Sequence, residues 1–326
     1  MTAIENKRTV ISDAGFFQPR RLAHVNLYID QLNRTMDFYT NVLGIEETYR
    51  TPLTGGGFVG NGNTHHDVGF ITADGPLGKP RAAKPGKLNH IAFELENEVA
   101  LVEGYNRAVA AGTRFVFTAD HDIAHSVYGT DPDGNRYELY ADVVKDWRAQ
   151  RSGIVTKPKP DWTPGCTPPV ADRCYHENPS LSRVERSIFH PLRTTHATIV
   201  VKDLATSLDY YSKVVGLRPR YLCKENTFVT LGGTCQEHSL TLIQSTKSRP
   251  PGYHHVGLYA QNSVDLQQSV DKAIAAGVKI NTDITQSGRR AVMIADADNC
   301  LTQIYCDNGG TFYPENVDRD LSIYLL

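Results

Sequence analysis

Leu22-Ala23-His24-Val25-Asn26-Leu27-Tyr28-Ile29 is an apolar, β-rich run interrupted by one imidazole. A stretch of helical period follows, with Met36, Tyr39 and Leu43 on one face and Gly44 as its C-terminal stop. Short strand-like runs come next at 45–50, 57–60 and 67–72. His90-Ile91-Ala92-Phe93-Glu94-Leu95 then opens a second unit of the same order. It continues with a helix at about 98–111, ended by Gly112, and with strand runs near 114–118, 125–130 and 136–141. One strand, one helix and three strands therefore occur twice.

The second half repeats the first. His196-Ala197-Thr198-Ile199-Val200-Val201 opens a third unit, and residues 207–217 echo the first helix. His255-Val256-Gly257-Leu258-Tyr259 opens a fourth, and Lys272-Ala273-Ile274-Ala275-Ala276-Gly277 echoes Ala108-Val109-Ala110-Ala111-Gly112. His24 and His66 stand 42 residues apart, as do His196 and His238. His90 and Glu138 stand 48 apart, as do His255 and Gln303. Such self-similarity marks a duplication. One copy closes its set with a carboxylate and the other with a neutral amide. Two imidazoles and one carboxylate form the facial set that holds a non-haem Fe(II) with positions left open, whereas Gln is a poorer ligand for a hard divalent ion. The first half is the expected active half.

Composition excludes several classes. The 326 residues suffice for two domains with their own cores. A net charge of -2 and a pI near 6.6 give no basic stripe for nucleic acid or an anionic membrane. The N-terminus lacks the apolar centre of a signal peptide, and no run approaches the roughly 20 apolar residues of a membrane helix. Cys166, Cys174, Cys223, Cys235, Cys300 and Cys306 form no CxxC pair and read as free thiols of a cytoplasmic protein. Residues 148–190, with Pro158, Pro160, Pro164, Pro168 and Pro169, read as a long linker. Trp147 and Trp162 argue that part of it packs over a domain.

Paired units with a His on the first strand and a carboxylate on the last resemble the vicinal oxygen chelate superfamily. Two such pairs in one chain resemble the type I extradiol ring-cleaving dioxygenases. The resemblance implies an α+β fold of four βαβββ modules forming two vicinal-oxygen-chelate domains with open mixed-sheet barrels. The expected division is an arm over 1–18, a catalytic domain over 19–147, the linker over 148–190, a second, non-catalytic domain over 191–308 and a tail over 309–326. Carried over residue by residue, His24, His90 and Glu138 match the iron ligands, with Mn(II) as the alternative ion. His66, in His65-His66-Asp67-Val68-Gly69-Phe70, matches the acid/base beside the metal. Tyr128, ten residues before Glu138, and Asn26, two after His24, match residues that border the site. Asp131-Pro132-Asp133-Gly134-Asn135-Arg136-Tyr137-Glu138 resembles the family's turn before its last ligand.

Two departures stand out. In the familiar members the C-terminal half is catalytic, and here the ligands favour the reverse. The family often has a further His nine residues before the Tyr, where this chain has Ala119, with His121 and His125 nearby as surface or pocket-rim residues. Strand alternation sends His65 and His66 to opposite faces, and the family register selects His66 for the interior. The plainer alternatives are a buried His66 bonded to Asp67 and a Tyr128 that is only a core aromatic. Tyr49, Arg50 and Arg114 are candidate pocket residues.

The implied chemistry is cleavage of a small aromatic diol by O2 in a homo-oligomeric enzyme of aromatic catabolism. His66, with an ordinary pKa near 6.5, would move the diol proton, and Tyr128 would hydrogen-bond a substrate oxygen. A glyoxalase-like metal-dependent isomerase and a non-enzymatic resistance protein that binds a small molecule are the rivals on the same fold.

Overall fold

The computed structural model describes residues 15–307 apart from 224 and 287, so the expected tail and most of the expected arm lie outside the described residues. Of that arm, Phe17 is buried in the core.

The first half contains β1 (Arg21–Ile29), α1 (Leu32–Asp37), β2 (Glu46–Thr51), β3 (Gly56–Gly60), β4 (Val68–Thr72), β5 (Lys87–Glu94), α2 (Glu98–Ala110), β6 (Phe117–Asp120), β7 (Ala124–Thr130) and β8 (Arg136–Asp142). A short helix, α3 (Trp147–Gln150), and strand β9 (Gly153–Ile154) follow. The second half contains β10 (Arg193–Val201), α4 (Leu204–Tyr210), β11 (Arg218–Leu222), β12 (Phe228–Gly232), β13 (Leu240–Gln244), β14 (Gly252–Tyr259), α5 (Ser263–Ala275), β15 (Ile280–Gln286), β16 (Arg289–Ala295) and β17 (Leu301–Asp307). The α+β class and the doubled strand–helix–three-strand order follow the sequence reading.

Each half is one open mixed sheet. The first has the order β6-β7-β8-β5-β1-β4-β3-β2-β9, and the second β11-β12-β13-β10-β14-β17-β16-β15. The two module-opening strands, β1 and β5, are antiparallel neighbours at the centre. Each also pairs in parallel with the last strand of its own module, β4 and β8 respectively. The second half repeats this with β10, β14, β13 and β17. Pairing shifts by one residue between Leu22 and His24, and again between Thr194 and His196. Such an irregularity re-aims a side chain, and in both halves it falls at the first histidine.

The first predicted helix differs from expectation. Helical turns end at Asp37, and a wider turn carries the chain on, with Leu43 N–H donating to the Phe38 carbonyl. The second half has the same widening, where Gly216 N–H donates to Tyr211. Gly44 does end the first segment. Its φ is +77°, and a Cβ there would lie 2.1 Å from the Phe189 carbonyl oxygen, so the close approach requires glycine.

One hydrophobic core runs through both halves, from Val25, Leu27 and Phe70 to Ile199, Leu242 and Ile304. The halves also grip each other's turns in a near-symmetric way. Lys202 N–H donates to Asp133 at 2.7 Å, and Asp30 N–H donates to Asp298 at 3.1 Å. Tyr211, buried, donates to Asp131 at 3.1 Å, while Tyr39, its counterpart, meets Thr302 Oγ1 at 3.3 Å. Asp131 also accepts Asp133 N–H, Asn135 N–H and the Asn135 amide, which closes the turn ahead of β8. The second half thus braces the turn from which Glu138 departs.

Tyr211→Phe should therefore cost roughly 1–3 kcal/mol, because a buried carboxylate oxygen loses a donor. Urea denaturation followed by circular dichroism checks this. The shared core further requires one cooperative transition; two separate transitions, or an unchanged midpoint in the variant, would contradict the bracing role.

Candidate metal centre and its pocket

His24 on β1, His90 on β5 and Glu138 on β8 come together because those strands are consecutive neighbours in the sheet. Register completes the placement: His24 pairs with Ala92, Ala92 with Glu138, and Asn26 with His90. All three side chains are buried. His24 Nε2 lies 3.1 Å and His90 Nε2 2.9 Å from Glu138 Oε2, and the two nitrogens are 3.3 Å apart. Donors about 2.1 Å from a shared first-row metal ion, at right angles to one another, stand about 3.0 Å apart. The observed triangle matches that spacing.

Proton bookkeeping supports the same fit. His90 Nδ1–H donates to Asn89 Oδ1 at 2.6 Å, which leaves the Nε2 lone pair facing Glu138. Burial holds His24 neutral, its pKa pushed down to about 4 despite the neighbouring carboxylate. Burial raises the pKa of Glu138, but hydrogen bonds and charge from His24 and His90 outweigh it and keep the carboxyl well below the usual range. Ser126 Oγ donates to the other carboxylate oxygen at 2.5 Å. Lone pairs that face one another at these three atoms repel unless a cation or a proton lies among them. The donor set fits a divalent ion.

A cavity of about 330 Å³ opens over this triad. That is near the small end of ligand cavities. His66 sits over His24, with ring centroids 3.9 Å apart. Its Nε2–H donates to Asn26 Oδ1 at 3.2 Å, and its Nδ1 accepts the Tyr49 hydroxyl at 3.4 Å. Burial, then the neighbouring His24 and His65, depresses the His66 pKa well below the ordinary imidazole value, so the ring is a neutral base. Asp67 is not its partner; that carboxylate accepts Asn61 N–H at 2.7 Å and tightens the hairpin. Tyr128 lines the cavity, stacks on Phe117 at 4.1 Å and meets His121 Nε2 at 3.0 Å. Burial lifts its pKa well above 10, which keeps the hydroxyl a donor.

Several expectations need correction. His65 and His66 do not point to opposite faces. They precede β4 rather than lying on it, and both line the cavity. His65 is also 5.5 Å from the His24 ring, and His24, His65 and His66 form a second cluster of possible ligands. His121 is a pocket residue, whereas His125 pairs with Glu98 at 2.6 Å and stacks on Trp162. Of the three candidates only Tyr49 lines the cavity; Arg50 bonds Glu47, and Arg114 is exposed. The stretch read as a linker contributes Arg151, Lys159, Pro160 and Asp161 to the wall, and Trp147 and Trp162 are buried. Composition revealed only the tryptophans as a signal of that packing.

The corresponding place in the second half has a different construction. Met293 pairs across from Gln303 as Tyr128 does from Glu138, and Thr198 stands where Asn26 does. His255 Nε2 meets Thr198 Oγ1 at 3.2 Å, and His238 Nε2 meets Thr241 Oγ1 at 2.7 Å. These imidazole nitrogens are satisfied locally rather than directed to one point.

The family model described as the Glyoxalase/Bleomycin resistance protein/Dioxygenase superfamily matches residues 21–139 and 193–304. Catechol-2,3-dioxygenase of Bacillus subtilis (strain 168) is 27% identical over 267 residues, 75% of this chain and 85% of that protein. Biphenyl-2,3-diol 1,2-dioxygenase 3 of Rhodococcus globerulus is 30% identical over 122 residues, 37% of this chain and 63% of that protein. The chain therefore matches less than two thirds of the latter's length. Two solved structures share the fold. The 2,3-dioxygenase LapB from Pseudomonas sp. KL28 aligns with TM-score 0.66 and 16% identity, over 94% of this chain and 97% of that one. The Mn(II)-bound glyoxalase from Novosphingobium aromaticivorans aligns with TM-score 0.66 and 13% identity, over 93% and 89%.

Burial also holds His196 and His255 neutral, their pKa values pushed well below the ordinary one. Imidazoles of the unfolded chain titrate near 6.5, so below that pH the unfolded state takes up protons that the folded state refuses. Stability of the metal-free protein should be level above about pH 7.5 and should fall steadily as pH drops through about 6. Urea midpoints measured across that range test this; a midpoint unchanged down to about pH 5 would contradict it.

Proposed function

The chain belongs to the Glyoxalase/Bleomycin resistance protein/Dioxygenase superfamily, and from that premise we propose that it is an Fe(II)-dependent extradiol dioxygenase. It opens the ring of a catechol-type substrate beside the vicinal diol and inserts both atoms of O2. The observation that carries this reading is the triangle of His24 Nε2, His90 Nε2 and Glu138 Oε2, at 2.9 to 3.3 Å, on the floor of a cavity. His24, His90 and Glu138 hold the ion, and the second half, with Gln303, serves the fold. When bound, Fe(II) in such a set keeps adjacent positions open for a chelating diol and O2 and makes the diol more acidic.

The side chains around it have separable roles. His66, neutral and buried, takes the proton that the diol loses and later returns it. Asn26 and Tyr49 meet its two ring nitrogens and fix the ring's orientation. Tyr128, held protonated by burial, donates to a substrate oxygen and favours ionisation of one hydroxyl over the other. The apolar wall of Phe58, Ile71, Leu77 and Phe117 accepts the ring and excludes water.

Incubating the iron-loaded protein with a panel of substituted catechols under 18O2 tests the reading. A yellow ring-opened product carrying two labelled oxygens is expected from at least one of them. Iron bound but every catechol left intact would favour an isomerase. Glu138→Ala should bind no iron, while Gln303→Ala should bind it as the parent does. His66→Phe should retain iron and bind catechol anaerobically, yet turn over roughly 10²–10⁴-fold more slowly, as expected when a general acid/base is lost. Loss of iron in His66→Phe, or turnover at the parent rate, would show that the proton is handled elsewhere.

A further inference from the structure

The cavity wall carries more positive charge than its surroundings answer. Arg81, Arg136, Arg151 and Lys159 all line it, in a chain whose net charge is -2. Among the described residues, only Arg151 of these four has a carboxylate within 4.0 Å. That contact is Asp122, at 3.9 Å, and Lys157 already holds the same Asp122 at 2.5 Å. Arg151 is only 3% exposed, and its Nε is buried without a hydrogen-bond partner. Its guanidinium carbon lies 5.3 Å from the Tyr49 ring centroid, beside the hydroxyl that meets His66. Lys159, eight residues on, reaches the same cavity. Asp161 lines the rim but is exposed, and Glu138 is engaged with the two imidazoles.

A buried guanidinium nitrogen without an acceptor costs free energy, and Arg151 Nε has none. Arg presents a planar fork that suits a carboxylate. We infer that the substrate ring bears a short carboxylate-terminated substituent, bound by Arg151 with help from Lys159. This rests on the ring-cleaving reading above and adds the identity of the substrate class. It also gives the segment between the halves a function. That segment supplies selectivity, while the sheet supplies the chemistry.

The test compares catechols that differ only in charge. Dihydroxyphenylpropionates, with the arm next to or opposite the diol, and their primary amides are titrated anaerobically into the iron-loaded protein. The acid should bind about 10–100-fold more tightly than its amide, the range expected for a charge-assisted hydrogen bond. Arg151→Gln should remove that difference while leaving amide binding near the parent value, and Arg151→Lys should restore part of it. Lys159→Gln, at an exposed position, should reduce the difference without affecting the fold. Equal binding of acid and amide by the parent would overturn the inference, as would a variant that weakens both alike. Phenylpropionate and its amide, which lack the diol, are titrated into the metal-free protein as well. Preference for phenylpropionate supports the carboxylate site even if no catechol is cleaved, and no preference overturns it. Failure of the ring-cleaving reading thus remains distinguishable from failure of this one.

Discussion

A carboxylate taken out of water is expensive unless charges or donors meet it, and Glu138 is buried. The contact of its oxygens with His24, His90 and Ser126 is the constraint on which the surrounding structure depends. It requires β1, β5 and β8 to be neighbours in fixed register, because a slip of one residue would turn Glu138 to the opposite face. It also requires the turn before β8 to be closed, which Asp131 does internally and Tyr211 does from the other half. A local electrostatic demand is thereby met by contacts spread over the whole molecule.

The duplication shows which residues answer the fold and which answer the chemistry. Tyr39 and Tyr211, Asp30 and Lys202, and Asp298 and Asp133 occupy corresponding places and perform corresponding packing. Glu138, Tyr128 and Asn26 do not correspond in kind to Gln303, Met293 and Thr198. Both halves keep their histidines, but only in the first do the imidazole nitrogens meet at a carboxylate. In the second, threonine hydroxyls take up Nε2 of His238 and His255 and Nδ1 of His196. An imidazole is a competent core residue once its nitrogens are bonded, which describes His238 and His255 Nε2.

The order of elements along the chain and the triad positions are legible because they depend on periodicity and on spacing that the repeat measures twice. His24, His90 and Glu138 each lie on a strand, so counting residues assigns them to β1, β5 and β8. His65 and His66 lie on no strand, and a rule of alternation misplaces His65. His121 and the wall from Arg151 to Asp161 were hidden for a related reason. They reach the cavity through turns and an irregular segment, whose path is set by the burial of Trp147 and Trp162 rather than by any period. The widened turn after α1 was equally invisible, since a five-residue hydrogen bond leaves the apolar spacing almost unchanged.

The central claim is that one metal ion sits against His24, His90 and Glu138, and anomalous scattering at the iron edge from crystals grown with Fe(II) tests it most directly. The account predicts a single strong peak per chain, about 2.0–2.2 Å from His24 Nε2, His90 Nε2 and Glu138 Oε2. A peak among His24, His65 and His66, or one beside His196 and His255, would contradict it.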